Sequence, residues 1–136
     1  MLTLVAVAGA AAAAAYGPPA PVLHSRGEGL TAARGSYCWV TPGRGVCAET
    51  TPPPVTARSL PVRSRGRVRI DMRIETDRLF VSLRGRRGRL RLHRANGSQR
   101  RFVARLPRHV EDGAVLDLSA RYPQGSGAFG ARLRAP

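Results

Sequence analysis

The sequence predicts an all-β fold: an antiparallel β-sandwich of immunoglobulin or fibronectin size, with a disulfide-stapled hairpin at its N-terminal side. Three observations predict it. Apolar residues recur with a period of two through the second half of the 136-residue chain, the pattern of strands with one wet face. Turn signals separate these runs at roughly 10- to 14-residue spacing, which leaves no room for helices. Finally, two cysteines bracket a Pro-Gly turn. A small open barrel is the second architecture that fits the same pattern.

Taken in order, residues 1–15 are apolar or small and end in an alanine run. The segment is shorter than the ~20 apolar residues that cross a bilayer. It matches the apolar region of a secretory signal with a cleavage site near Ala13 to Ala15. No Arg or Lys precedes it, so either translation starts upstream or the signal reading fails. No cysteine lies near that site to carry a lipid anchor. The expected location is secreted or cell-envelope. Residues 16–34 are punctuated by Pro and Gly and read as a linker. Residues 35–136 form the β-domain.

That domain opens on GSYCWVTPGRGVCAET, residues 35–50. Pro42-Gly43 suits the central positions of a type II turn, since Pro fixes φ and Gly accepts a positive one. A hairpin centred there sets Cys38 opposite Cys47, within disulfide reach. The other roles of a cysteine pair lack partners. Zinc asks for four ligands, and His24, His93 and His109 are the only histidines. A thioredoxin-like centre needs the two cysteines two residues apart on a helix. A cysteine nucleophile needs a histidine base. The pair is therefore expected to be a disulfide, with no metal and no cofactor. Tyr37 and Trp39 flank Cys38 and point away from it. They either close the core or form an exposed aromatic patch for sugar or peptide.

Residues 50–61 hold four prolines and exclude a helix or central strand. RVRIDMRIE, residues 67–75, then alternates cleanly, with Val68, Ile70, Met72 and Ile74 on one face and Arg67, Arg69, Asp71, Arg73 and Glu75 on the other. Further strands follow: Leu79, Val81 and Leu83; Leu90 and Leu92; Phe102, Ala104 and Leu106, with Val103 the alternative register; Ala114, Leu116 and Leu118; and Phe129, Ala131 and Leu133. Asn96-Gly97 between two of them is a strong hairpin signal. Six strands after residue 65 plus the cysteine hairpin make a sandwich, whose strand order the pattern leaves open.

The formal charge is +15, and all 23 basic residues are Arg. A chain without Lys and rich in Ala, Gly and Pro is also what a GC-rich genome writes, so a solvated face is the plain reading. The field is physical either way, and attracts anionic partners in a salt-sensitive manner. Seventeen Arg against three acids fall between residues 58 and 108, densest in RGRRGRLRLHR, residues 84–94. Arg84, Arg86, Arg87, Arg89, Arg91 and Arg94 are the candidate polyanion contacts. The partner expected is an anionic envelope polymer or lipid surface. Nucleic acid is the alternative, weakened by the scarcity of aromatics for base stacking.

Catalysis is poorly supported. Asp71 and Glu75 share an outward strand face among arginines, which suits ion pairing more than the paired carboxylates of a glycosidase. Ser25, His24 and Glu28 lie in the linker without a nucleophile-elbow pattern. A small hydrolase is the remote alternative to a non-catalytic module.

The stretch GSYCW, followed by VCAE and TPPP, resembles small uncharacterised exported bacterial proteins that carry a G-[ST]-Y-C-W motif, a nearby second cysteine and a β-rich region. The similarity covers residues 30–54 by motif and the rest by pattern. It implies export and a disulfide, and no assigned activity. Relatives often have Asp two positions after the second cysteine, where this chain has Glu49.

Overall fold

The computed structural model describes residues 17–136, so the signal-like segment 1–15 lies outside the described residues. Alternation of apolar and polar residues builds eleven strands. They are β1 (Val22–Ser25), β2 (Glu28–Thr31), β3 (Ala33–Thr41), β4 (Arg44–Ala48), β5 (Ser59–Pro61) and β6 (Arg67–Asp71), then β7 (Arg78–Leu83), β8 (Arg91–Arg94), β9 (Arg101–Arg105), β10 (Val115–Tyr122) and β11 (Gly125–Arg134). One sheet runs β2-β1-β6-β9-β8. The other runs β4-β3-β11-β10-β7, with the short β5 added alongside the C-terminal part of β11. Every pairing is antiparallel except β5 with β11.

The two sheets share one apolar core. Leu23, Val68, Ile70, Phe102 and Ala104 come from the first sheet, and Leu79, Val81, Leu116, Leu118, Phe129, Ala131 and Leu133 from the second. The registers explain the pairing, because they set apolar residues side by side: Leu23 opposite Ile70, Ile70 opposite Phe102, Val81 opposite Leu118, Leu118 opposite Phe129. A one-residue slip would turn each set outward. Phe102 and Ala104 are buried while Val103 is half-buried, so β9 takes the first of its two candidate registers.

Hairpins stay within a sheet: β1–β2, β3–β4, β8–β9 and β10–β11. Asn96 and Gly97 both have positive φ at the β8–β9 turn, as the Asn-Gly signal requires. The connections at residues 75–78, between β6 and β7, and 84–88, between β7 and β8, carry the chain from one sheet to the other. β6 is also shorter than its alternation suggested. It stops at Asp71, because Arg73 takes a left-handed φ of 69° and Asp71 Oδ1 accepts the Arg73 N–H at 2.9 Å. That Asx-type turn diverts the backbone, and Met72 still reaches the core.

The reading of residues 16–34 as a linker is corrected. VLHS and EGLT form the β1–β2 hairpin and occupy one side of the first sheet. Arg26 and Gly27 make its two-residue turn with φ of 51° and 78°, the positive pair a tight hairpin favours. The glycine taken as loop punctuation is the turn residue itself.

Candidate functional site

The cysteine hairpin forms as its spacing predicts. Cys38 pairs with Cys47 in register, their Cα atoms 4.1 Å apart, and the sulfurs are bonded. Gly43 supplies the positive φ of the turn. Both cysteines are exposed on the outer side of an edge hairpin.

Tyr37 and Trp39 turn inward, and the exposed aromatic patch is corrected accordingly. Trp39 is only 7% exposed and meets Tyr122 edge to face at 5.3 Å. Its cross-strand neighbour is Gly125, where a side chain would run into the Cys38 carbonyl, so the close approach of the two strands here requires glycine. Tyr37 is half-buried, with the Arg34 guanidinium 4.8 Å above its ring. The Tyr122 hydroxyl is buried without a hydrogen-bond partner, and burial raises it well above the ordinary phenol range.

The arginines of residues 84–94 do not share one surface. Arg84 forks onto Asp117, with Nη2 to Oδ1 at 2.7 Å, and donates to the Pro54 carbonyl at 2.8 Å. It pins the Pro-rich segment across the second sheet. Arg94 donates to the carbonyls of Thr76, Asp77 and Ser98 and lies over the Phe102 ring. Arg86 donates to the His109 carbonyl at 2.6 Å, and Arg89 stacks 3.8 Å from the Phe80 centroid. Arg87 is exposed on the β7–β8 connection. Arg91 alone stands on a strand face with other free cations. The dense stretch in sequence is thus mostly structural, because consecutive residues crossing between sheets face different surroundings.

The cations that do converge come from strands far apart in sequence. On the outer face of the first sheet, Arg67 of β6 lies opposite Arg105 of β9, which lies opposite Arg91 of β8. The next row reads His24, Arg69, Val103, His93 across β1, β6, β9 and β8. Asp71 and Arg101 form a third. Arg67, Arg69, Arg91, Arg101 and Arg105 are all exposed. Among the described residues none of these five guanidinium groups has an ion-pair, hydrogen-bond or ring partner, although the Arg101 backbone N–H donates to Ser98 Oγ. Salt bridges between described residues include Arg84–Asp117 and a long Arg134–Glu28 contact of 3.9 Å, neither of which involves these five.

Two adjoining depressions mark this face, of about 720 Å³ and 380 Å³, and they share His24, Arg69 and Val103. The larger runs to Ser98, Arg100 and Arg101 at one end of β6, the smaller to Arg26 and Arg67 at the other. Among the described residues no group of three or more His, Cys, Asp or Glu is placed to hold a metal ion. The alternating pattern exposed Arg67 and Arg69 in the sequence, but only strand order brings Arg91, Arg101 and Arg105 beside them.

What fold and surface define is a two-sheet, disulfide-bonded β-protein with one strongly basic face. Comparison with protein-family models, with curated proteins and with solved structures gives no match to the chain.

Proposed function

We propose that this is a non-catalytic, exported or cell-envelope β-domain that binds an anionic envelope polymer or lipid surface through the outer face of the β2-β1-β6-β9-β8 sheet. We further propose a sandwich of the immunoglobulin or fibronectin kind and kinship with the exported G-[ST]-Y-C-W proteins. The observation that carries the functional reading is the row Arg67–Arg105–Arg91. Like charges directly opposite on a sheet are destabilising, and this row has no carboxylate to offset it. Such an arrangement makes sense when an anion supplies the missing charge. A disulfide on an exposed edge fits an oxidising compartment.

The test is retention on an immobilised acidic polymer and on anionic vesicles across a salt series. Charge reversal of Arg67, Arg69 and Arg105 to Glu abolishes retention, whereas reversal of Arg86 and Arg87 leaves most of it. Equal loss from both sets, or no retention at low salt, removes the proposal. The mature N-terminus, read from the protein recovered from cell fractions, tests export. An uncleaved chain in the cytoplasm would contradict it and favour the nucleic-acid alternative.

A further inference from the structure

Resting on that reading of the basic face, we propose that its ligand is a linear phosphate polymer without bases, laid lengthwise along β6, and that a bilayer is not its partner. Three features of the face select this class.

The first is shape. The two depressions join at His24, Arg69 and Val103 and follow β6 from Arg100 and Arg101 to Arg26. From Arg67 to Asp71, β6 takes four steps of about 3.3 Å, roughly 13 Å, and Arg67 and Arg69 repeat at about 6.6 Å. His24 and Val103 on the floor are half-buried, while the arginines around them are exposed. A chain can reach that floor, and a planar headgroup layer cannot.

The second is hydrogen-bonding character. The guanidinium groups only donate. Against these arginines the two depressions set two carboxylates: Asp71, whose Oδ1 accepts the Arg73 N–H, and Glu28 at the far end, which faces Arg134 at 3.9 Å. A ligand whose groups are nearly all acceptors is therefore matched along its length, and Arg forks suit phosphate oxygens bidentately. A polymer of sugars would bring hydroxyl donors and look for aromatic faces to stack on.

The third is what the face lacks. Among the described residues the exposed large apolar side chains are Val40 and Val55, neither on this sheet. The aromatic side chains of the described core, Trp39, Phe102, Tyr122 and Phe129, are buried. Among the described residues this face thus offers no apolar wedge to enter a bilayer and no exposed Phe, Tyr or Trp on which a nucleobase would stack, its rings being the imidazoles of His24 and His93.

The experiment uses the intact protein with long-chain inorganic polyphosphate, tripolyphosphate, a homopolymeric single-stranded DNA and phosphatidylglycerol vesicles, each titrated across a salt series. Long-chain polyphosphate is expected to bind most tightly, and at least about tenfold more tightly per phosphate than tripolyphosphate. With roughly five phosphates contacted, log K should fall with log salt at a slope of about −3.5, and each of Arg69→Gln and Arg105→Gln should lower that slope by about 0.7. Arg87→Gln should leave it unchanged. Melting curves on the same samples confirm that the variants fold. Vesicle or DNA binding that equals polyphosphate binding, and is lost in the same variants, overturns the polymer inference and keeps the basic-face reading. Absence of binding to all four probes at low salt overturns both. Polyphosphate binding indifferent to Arg69→Gln and Arg105→Gln overturns the placement.

Discussion

Arg105 is flanked on one strand by Arg67 and on the other by Arg91, so Arg105→Gln removes two like-charge contacts while keeping most of the side-chain stem. If the splayed guanidinium groups lie about 8 Å apart in a solvent of dielectric near 80, each contact costs about 0.5 kcal/mol, and the two about 1 kcal/mol before screening. The Debye length is about 30 Å at 0.01 M salt and 3 Å at 1 M. The gain from the substitution should be about 0.8 kcal/mol at 0.01 M salt and below ~0.1 kcal/mol at 1 M. For a domain of this size that gain raises Tm by roughly 3 °C at low salt. Thermal melts of the parent and the variant, in parallel salt series, provide the assay. Stability and polyanion affinity should move in opposite directions, which is the signature of a charge row kept for a ligand. A variant less stable than the parent at low salt, or a Tm gain that ignores salt, would refute the reasoning. In either case the three arginines do not feel one another.

Three further outcomes are expected. The double variant Cys38→Ser with Cys47→Ser should lose about 2.7 kcal/mol for a loop of this length in the chain-entropy picture. Urea unfolding would show it as a lower midpoint, and a shift under ~0.5 kcal/mol would mean that the hairpin is held by its ladder alone. Tyr122→Phe should stabilise the protein by about 1 kcal/mol, since it removes a buried hydroxyl with no partner. The unfolded chain releases the Tyr122 proton from about pH 10, whereas burial keeps it on in the folded state. Stability should therefore be intact below pH 10 and fall by up to about 1.4 kcal/mol per pH unit above it. That decline should shrink in Tyr122→Phe, and identical alkaline profiles would count against a buried hydroxyl. Arg84→Gln breaks the half-exposed pair with Asp117 and the bond to the Pro54 carbonyl. A loss of about 1 kcal/mol should accompany faster amide exchange around residues 50–58, and unchanged exchange there would deny Arg84 its pinning role.

Local rules carried far in this chain. Period-two alternation marked Val68 and Ile70, Leu79 to Leu83, and Leu116 and Leu118 as inward residues, because a strand's faces are fixed by its pleat alone. Pro42-Gly43 and the cysteine spacing specified the β3–β4 hairpin and its disulfide, since both depend only on residues close in sequence. The same logic reached Asn96-Gly97. It stumbled at Arg26-Gly27, where four-residue strands on either side were too short to stand out from a Pro- and Gly-rich approach. It also extended β6 past Asp71, because alternation continues through Arg73 while the backbone turns.

The tertiary structure decided everything that depends on which strand lies beside which. The run from Arg84 to Arg94 looked like a basic patch because its residues are consecutive. Folded, Arg84 and Arg94 are spent on carbonyls and Asp117, and Arg89 on a ring. The basic face is assembled from β6, β8 and β9, whose arginines are up to 38 positions apart in the chain, Arg67 to Arg105. Trp39 illustrates the same division. Its strand and its facing relative to Cys38 followed from sequence, but its burial followed from Tyr122 coming beside it. The sequence by itself determined most strands after residue 35, the Pro42-Gly43 and Asn96-Gly97 turns and the staple, which are set by pleat geometry and short-range chain closure. Only the packing of two sheets decided which arginines stand together with no counter-ion, because that depends on pairing between segments that no local rule connects.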